Sequence, residues 1–443
     1  MPASFSNIRI RIFRRVSRLT LGGDWALSEP AETRHNLRWF WFDGFFASAS
    51  DNILITYLVL YLLALGASTA QIGLLSSLSS LSVALVLLPG ALLVERIGHR
   101  KEITVWAGGG MARVAILCLA LIPFIFKGPA LIYIAIALSV TRDVFGNVAY
   151  PAWMAIIAEI IPISGRGRYF GTRNFAMGVV GMAVTLLVGE LITRTQKPAG
   201  YQIAFGMAFA IGMLSTYSFA HLRVSKAPPV IPDGAARLSL PALLRDMLKH
   251  PAFLSLAGVS MLWNFSLNVA GPFFNVYLVQ NLKATATMVG FLGVVSTIAS
   301  LLVQRKLGEL ADRWGSRRMQ LISGLLIPIL PLAWMFVTSP WHIVPINILS
   351  GVLWGAYSLA SFNYLLALTP ADQRARYSAL FQISVTIALA AGAAIGSIII
   401  STPWAYKGVF IGSGVGRFTA ALLFARFVRA PEHSQITPTE TTS

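Results

Sequence analysis

The 443-residue chain is 56% hydrophobic and only 12% charged, yet it carries a formal net charge of +18. So few charged side chains cannot coat a water-soluble globule of this length, which excludes soluble enzymes and makes a bilayer the solvent. The basic excess is spread over many segments between apolar runs and gathers on none of them, so nucleic acid is excluded as a partner.

Residues 1–38 form an Arg-rich tail whose "NIRIRIFRRVSRL" lacks the apolar core and cleavage site of a signal peptide. Apolar runs follow at 39–65, 71–94, 103–126, 130–158, 170–193, 201–222, 252–280, 286–305, 319–338, 341–368, 375–400 and 405–428. Each is about 20 residues or longer, the length an α-helix needs to cross roughly 30 Å of hydrocarbon. The runs are continuous rather than alternating, so helices are predicted and a β-barrel is not. The expected fold is therefore an all-α membrane protein with twelve transmembrane helices. The linker at 223–251 holds "LPALLRDMLK", predicted as a short surface helix, and 429–443 form a C-terminal tail. An even number of spans puts both tails on one side. Segments on that side hold 27 of the 35 Lys and Arg, against five in the opposite loops, which makes the tails cytoplasmic.

A charged loop occurs twice. "ALLVERIGHRK" at 91–101 and "GELADRWGSRR" at 308–318 share an acid followed by Arg, then a Gly, then basic residues, at an offset of 217. The same offset pairs Gly73 with Gly290, and "PISGRGRY" at 162–169 recurs as "PADQRARY" at 370–377. The chain thus contains two six-helix units, 39–222 and 252–428, with matching loops after the second and fourth helix of each.

Metal and hydrolase chemistry find no footing. The single Cys118 lies in an apolar stretch, and the six His lie in tails, loops or helix ends without paired-ligand spacing. P-loop and GxSxG patterns are lacking, so neither an enzyme nor a cofactor is expected.

Ionisable residues within spans carry more information, because a charge at the bilayer centre costs at least ~2.5 kcal/mol. Asp51, Arg142 and Asp143 are mid-span, and Asp51 with Arg142 is the expected coupling pair. Asp43 and Glu190 sit nearer the two faces, where water reaches them, and Arg113 and Arg417 read as structural partners or snorkelling residues. Three amides of the seventh span, Asn264, Asn268 and Asn275, fall within about 40° of one another at 100° per residue. With Asn52, Tyr150, Trp153, Trp354, Tyr357 and Ser361 they are the candidate cavity residues; amides bonded across the bundle are the alternative.

The second loop copy resembles the signature of the major facilitator superfamily, G-x-L-A-D-R-x-G-R-[RK], through Gly308, Leu310, Ala311, Asp312, Arg313, Gly315, Arg317 and Arg318. The first copy departs from it, with Ala91, Glu95 and His99 at three of its positions. Arg142 and Gly146 resemble the family's R-x-x-x-G on the fourth helix, whereas its antiporter signature on the fifth is missing: Gly178, Gly181 and Gly189 are present without a Pro. The resemblance implies two bundles rocking about a midplane cavity lined mainly by helices 1, 4, 7 and 10. The expected function is secondary transport of a small organic solute, proton-coupled, in a bacterial cytoplasmic membrane, by a monomer in the lipid bilayer. A sugar-like or other polar metabolite is favoured; a multidrug/proton antiporter and a non-transporting sensor or scaffold are the alternatives. The repeated loops are expected to latch the cytoplasmic gate. Glu95 approaches the helix start near Arg374 and Arg376, Asp312 approaches the one near Arg166 and Arg168, and Arg96, Arg100, Arg313 and Arg317 flank the contacts. Gly98 and Gly315 supply the tight turns.

Overall fold

The structure, a computed structural model, describes residues 20–195, 197–224, 251–368 and 374–428. The outermost tail segments and the predicted linker helix lie outside the described residues. So do the side chains of Glu95, Asp312, Arg374 and Arg376.

Twelve helices among the described residues are long and apolar enough to cross a membrane. They are α1 (Ala31–Ala64), α2 (Thr69–Ile97), α3 (Arg100–Ile125), α4 (Pro129–Ile160), α5 (Arg166–Arg194), α6 (Ala199–Ala220), α7 (Phe253–Gln280), α8 (Ala286–Trp314), α9 (Ser316–Phe336), α10 (Ile343–Leu368), α11 (Arg374–Ile400) and α12 (Ala405–Phe427). Their order along the chain matches the sequence expectation. One boundary differs in an instructive way: α1 begins at Ala31, not at 39. Its polar first turns extend past the apolar run because they are tied to the end of α6, where Asn36 and the Arg223 backbone exchange hydrogen bonds of 2.8 Å each.

Three helices are irregular. α3 is π-helical over Thr104–Met111, around the run Gly108–Gly109–Gly110. α7 breaks at Gly271–Pro272, between segments ending at Ala270 and starting at Phe273. α9 is interrupted at Ile327–Pro328. The breaks in α3 and α7 border cavities, where loosened backbone can find partners.

Helices α1–α6 form one bundle and α7–α12 the other, with α2 crossing α11 and α5 crossing α8 between them. The hydrogen bonds seen between bundles join their distal halves, on the side away from the chain termini. Ser77 donates to the Ala390 carbonyl (2.9 Å), Asn268 to Ser76 (3.2 Å), and Thr287 donates its hydroxyl to Glu190 (2.9 Å) and its backbone N–H to Thr193 (3.1 Å). The largest buried apolar cluster lies there too and includes Ile53, Tyr57, Phe273, Val276 and Leu292 from both bundles. The repeated pair Gly73 and Gly290 explains the close approach. A Cβ on Gly73 would overlap Ser397, and one on Gly290 would meet the Tyr57 hydroxyl at 2.5 Å, so each glycine permits one bundle crossing.

On the terminal side, the segment before α1 is more than a tail. Leu21 and Ala26 are fully buried against Ile156, Ile160 and Tyr169, and the Trp25 ring covers Gly165 at the start of α5.

Candidate functional site

Three cavities follow one another from the N-terminal bundle into the C-terminal one. The first, of about 440 Å³, lies in the N-terminal bundle and is bordered by Asp43, Asp51, Arg113, Tyr150, Trp153 and Arg173. A second, of about 310 Å³, shares Ser48, Asn52 and Met177 with it and reaches Gly293 and Thr297 of α8. A third, of about 480 Å³, shares Thr56 and Gly293 with the second and is bordered by Asn275, Trp334, Asn347, Trp354 and Arg417.

The expected pair Asp51–Arg142 forms at 3.2 Å, but Asp51 has a closer partner in Arg113, at 2.7 Å. Arg142 also holds Asp143 at 3.0 Å, and Arg113 donates to Ser50 at 2.9 Å. Two acids and two arginines from α1, α3 and α4 thus form one electrically balanced cluster. Arg113, expected as a structural partner or snorkelling residue, is thus the nearest partner of the coupling candidate Asp51. Its role was hidden because the phase of α3 relative to α1 is set by packing, with Gly212 of α6 leaving room for the Arg113 side chain.

Asp43 also departs from expectation. Instead of meeting water it is 6% exposed, accepts a hydrogen bond from Ser215 (2.7 Å) and pairs with Arg173 at 3.5 Å. Arg173 is 4% exposed, donates to the Phe40 carbonyl (3.1 Å) and lies over the Phe40 ring at 4.0 Å. Arg173 falls in the first turn of the predicted fifth span, and its mate on α1 is what holds it inside. Glu190 keeps its place near the distal face, paired with Arg194 and bonded to Thr287.

The three α7 amides share a face but do three different things. Asn264 bonds back to the Ser260 carbonyl of its own helix (2.8 Å). Asn268 ties α7 to α11 and α2 through the Leu389 carbonyl (2.8 Å) and Ser76. Asn275 alone borders a cavity, and its amide has no protein partner among the described residues. Asn52 lines the first two cavities and donates to the Ser48 carbonyl (2.8 Å). Tyr150 stacks on Trp153 with 6.0 Å between ring centres, while Trp354 borders the third cavity. Tyr357 is stacked on Trp263 at 4.6 Å inside the C-terminal bundle, away from the three cavities, and Ser361 borders none of them.

At the terminal face, Gly98 and Gly315 both take positive φ, 69° and 78°, as the loop turns require. The described gate arginines face their own bundles. Arg100 pairs with Glu159 at 3.4 Å, Arg166 donates to the Ala158 and Ile161 carbonyls (3.2 and 3.0 Å), and Arg317 to those of Ala425 and Val428 (2.9 Å each). Arg96, Arg168 and Arg313 are exposed, and Gly308 is half-buried.

The family model described as Major Facilitator Superfamily matches residues 40–275 and 256–443. The chain belongs to the Major Facilitator Superfamily. It is a membrane transporter and not an enzyme. Among curated relatives it is similar to a multi-drug resistance efflux pump PmrA homolog of Lactococcus lactis, at 24% identity over 86% of this chain and 92% of that protein. It is also similar to multidrug resistance protein MdtG of Salmonella typhi, at 26% over 88% and 95%. The minor myo-inositol transporter IolF of Bacillus subtilis is 29% identical over 58% of this chain and 54% of its own length. Among solved structures, the nucleoside transporter NupG superposes with a TM-score of 0.65 at 13% identity, covering 88% of this chain and 98% of NupG. The inward-open xylose transporter XylE from E. coli gives 0.65 at 15%, covering 89% and 96%.

Proposed function

We propose that this transporter carries a small organic solute by alternating access across a bacterial cytoplasmic membrane, with protons as the coupling ion and Asp51 as the carboxylate that takes them up. The observation that carries the reading is the balanced cluster of Asp51, Arg113, Arg142 and Asp143 beside a midplane cavity. Protonating Asp51 leaves that cluster with a net positive charge in a medium that solvates charge poorly. Proton uptake is thereby tied to a change in water access or to a compensating charge, the property a coupling group needs. With the basic, tail-bearing side cytoplasmic, the distal contacts through Thr287, Asn268 and Ser77 close the outer face, as in an inward-facing state.

A polar solute suits the amides and hydroxyls of Asn52, Thr56, Asn275, Asn347 and Ser350 along the cavities. Multidrug efflux is the second reading, favoured by the names of the PmrA and MdtG relatives and by Tyr150, Trp153 and Phe219 around the first cavity. Proteoliposomes containing a pH-sensitive dye separate the two. Under an imposed pH difference, sugars and other polar metabolites are expected to move with protons and cationic dyes are not. If Asp51→Asn still concentrates the solute against its gradient, Asp51 is not the coupling group.

A further inference from the structure

Among the described residues, the C-terminal bundle holds one buried cation and nothing to neutralise it. Arg417, midway along α12, is 2% exposed and borders the 480 Å³ cavity. Its Nε is buried without a hydrogen-bond partner, and the guanidinium makes one long bond, 3.4 Å, to the Leu267 carbonyl. Acidic residues between 252 and 428 are Glu309, Asp312 and Asp372 only, all in or beside segments that connect spans on the terminal side. An acid from the same bundle's membrane-embedded part is therefore not available to it in any conformation. A guanidinium has five donors and keeps its charge, so leaving it unpaired in a membrane interior is costly and calls for an occupant.

The geometry points to a carboxylate on the transported solute as that occupant. The third cavity has one charged wall, Arg417, flanked by Asn275 with its unpartnered amide, by Asn347, which spends one donor on the Leu292 carbonyl (2.8 Å), and by Ser350. Its remaining surface is apolar and aromatic, with Phe274, Trp334 and Trp354. One cation matches one negative charge, and a planar carboxylate matches the planar guanidinium through two parallel hydrogen bonds. The substrate class is an organic monoacid with an apolar or aromatic body, small enough for a cavity of that volume. When it binds, the buried charge around the cavities sums to zero, since the Asp51 cluster and the Asp43–Arg173 pair are already balanced. Carriage of this acid rests on the transport reading above; its binding does not.

The test is a thermal-shift titration of the full-length protein in detergent with matched acids and primary amides: hexanoate with hexanamide, benzoate with benzamide, indole-3-acetate with its amide, and inorganic phosphate as a free-anion arm. At least one acid is expected to stabilise the protein at roughly tenfold lower concentration than its amide, the scale of a charge-assisted contact. Phosphate is expected not to act. Arg417→Gln should abolish the difference and Arg417→Lys retain part of it. If every acid behaves like its amide, or if Arg417→Gln preserves the difference, the proposal is overturned. Stabilisation by phosphate alone overturns the carboxylate assignment. Should Arg417→Gln not fold, Ser350→Phe, which fills the cavity and leaves Arg417 in place, must abolish acid binding for the proposal to stand. Loss of proton-driven transport in Asp51→Asn bears on the transport reading, while the acid–amide difference in the wild-type protein and its loss in Arg417→Gln bear on this site, so the two fail separately.

Discussion

The two bundles share a helical plan but not a charge plan. In the N-terminal bundle the intramembrane cations Arg113, Arg142 and Arg173 each lie against an acid at 2.7 to 3.5 Å. In the C-terminal bundle Arg417 has none among the described residues, and the position 217 residues after Asp51 is the amide Asn268, bonded to backbone and hydroxyl groups. Duplication copied the helices, their crossing glycines and their end loops. The chemistry then diverged, leaving one half electrically complete and the other waiting for a charge from outside.

The contrast predicts opposite effects of removing an arginine. Arg173→Leu strands Asp43 without its partner and is expected to cost about 3 to 5 kcal/mol, read as a large drop in unfolding temperature in detergent. Arg417→Leu removes a charge that has no partner and is expected to leave the protein at least as stable as the wild type while removing acid binding. If both variants lose stability equally, the difference between the bundles is not real.

Asp51→Asn comes next. Its carboxylate is partly open to the cavity and the amide can still accept from Arg113, so a stability loss of roughly 1 kcal/mol is expected. Proton-driven accumulation in proteoliposomes should nevertheless disappear while solute exchange without a gradient persists. A smaller effect is expected from Thr287→Val, which removes the hydroxyl shared by Glu190 and Thr193 at the distal crossing. A net loss of about 1 kcal/mol from the distal crossing shifts the state ratio roughly fivefold, measurable by spin-label distances across α5 and α8. The smallest concerns the repeated loops. Glu95→Gln with Asp312→Asn should raise labelling of a Cys at Tyr150 only a few-fold, each contact contributing about 0.3 to 1 kcal/mol; unchanged labelling would dismiss the latch.

Much of this was legible in the sequence. Twelve apolar runs, the repeat and the mid-span acid at Asp51 follow from residue type and spacing, and Asp51 with Arg142 could be paired because both lie halfway along their helices. Arg113 and Arg173 could not be placed, since which face of α3 or α5 turns inward depends on neighbours such as Gly212 and Phe40. The three α7 amides show the same limit: periodicity put them on one face, but only packing separates a tie such as Asn268 from a cavity group such as Asn275. Arg417 had a signal of another kind, the lack of any acid in six consecutive spans.

The π-helical stretch of α3 has a genetic corollary. Such a segment is wider than an α-helix by about one residue per turn, and a single inserted residue is enough to seed one. Removing one of Gly108, Gly109 or Gly110 would let the backbone relax toward α-helical winding, and side chains on one side of the deletion would then rotate by roughly 100° about the axis. Arg113, four positions beyond Gly109, would swing away from Asp51 although no charged residue had been altered. A one-codon deletion in a glycine run is therefore expected to mimic the loss of an arginine.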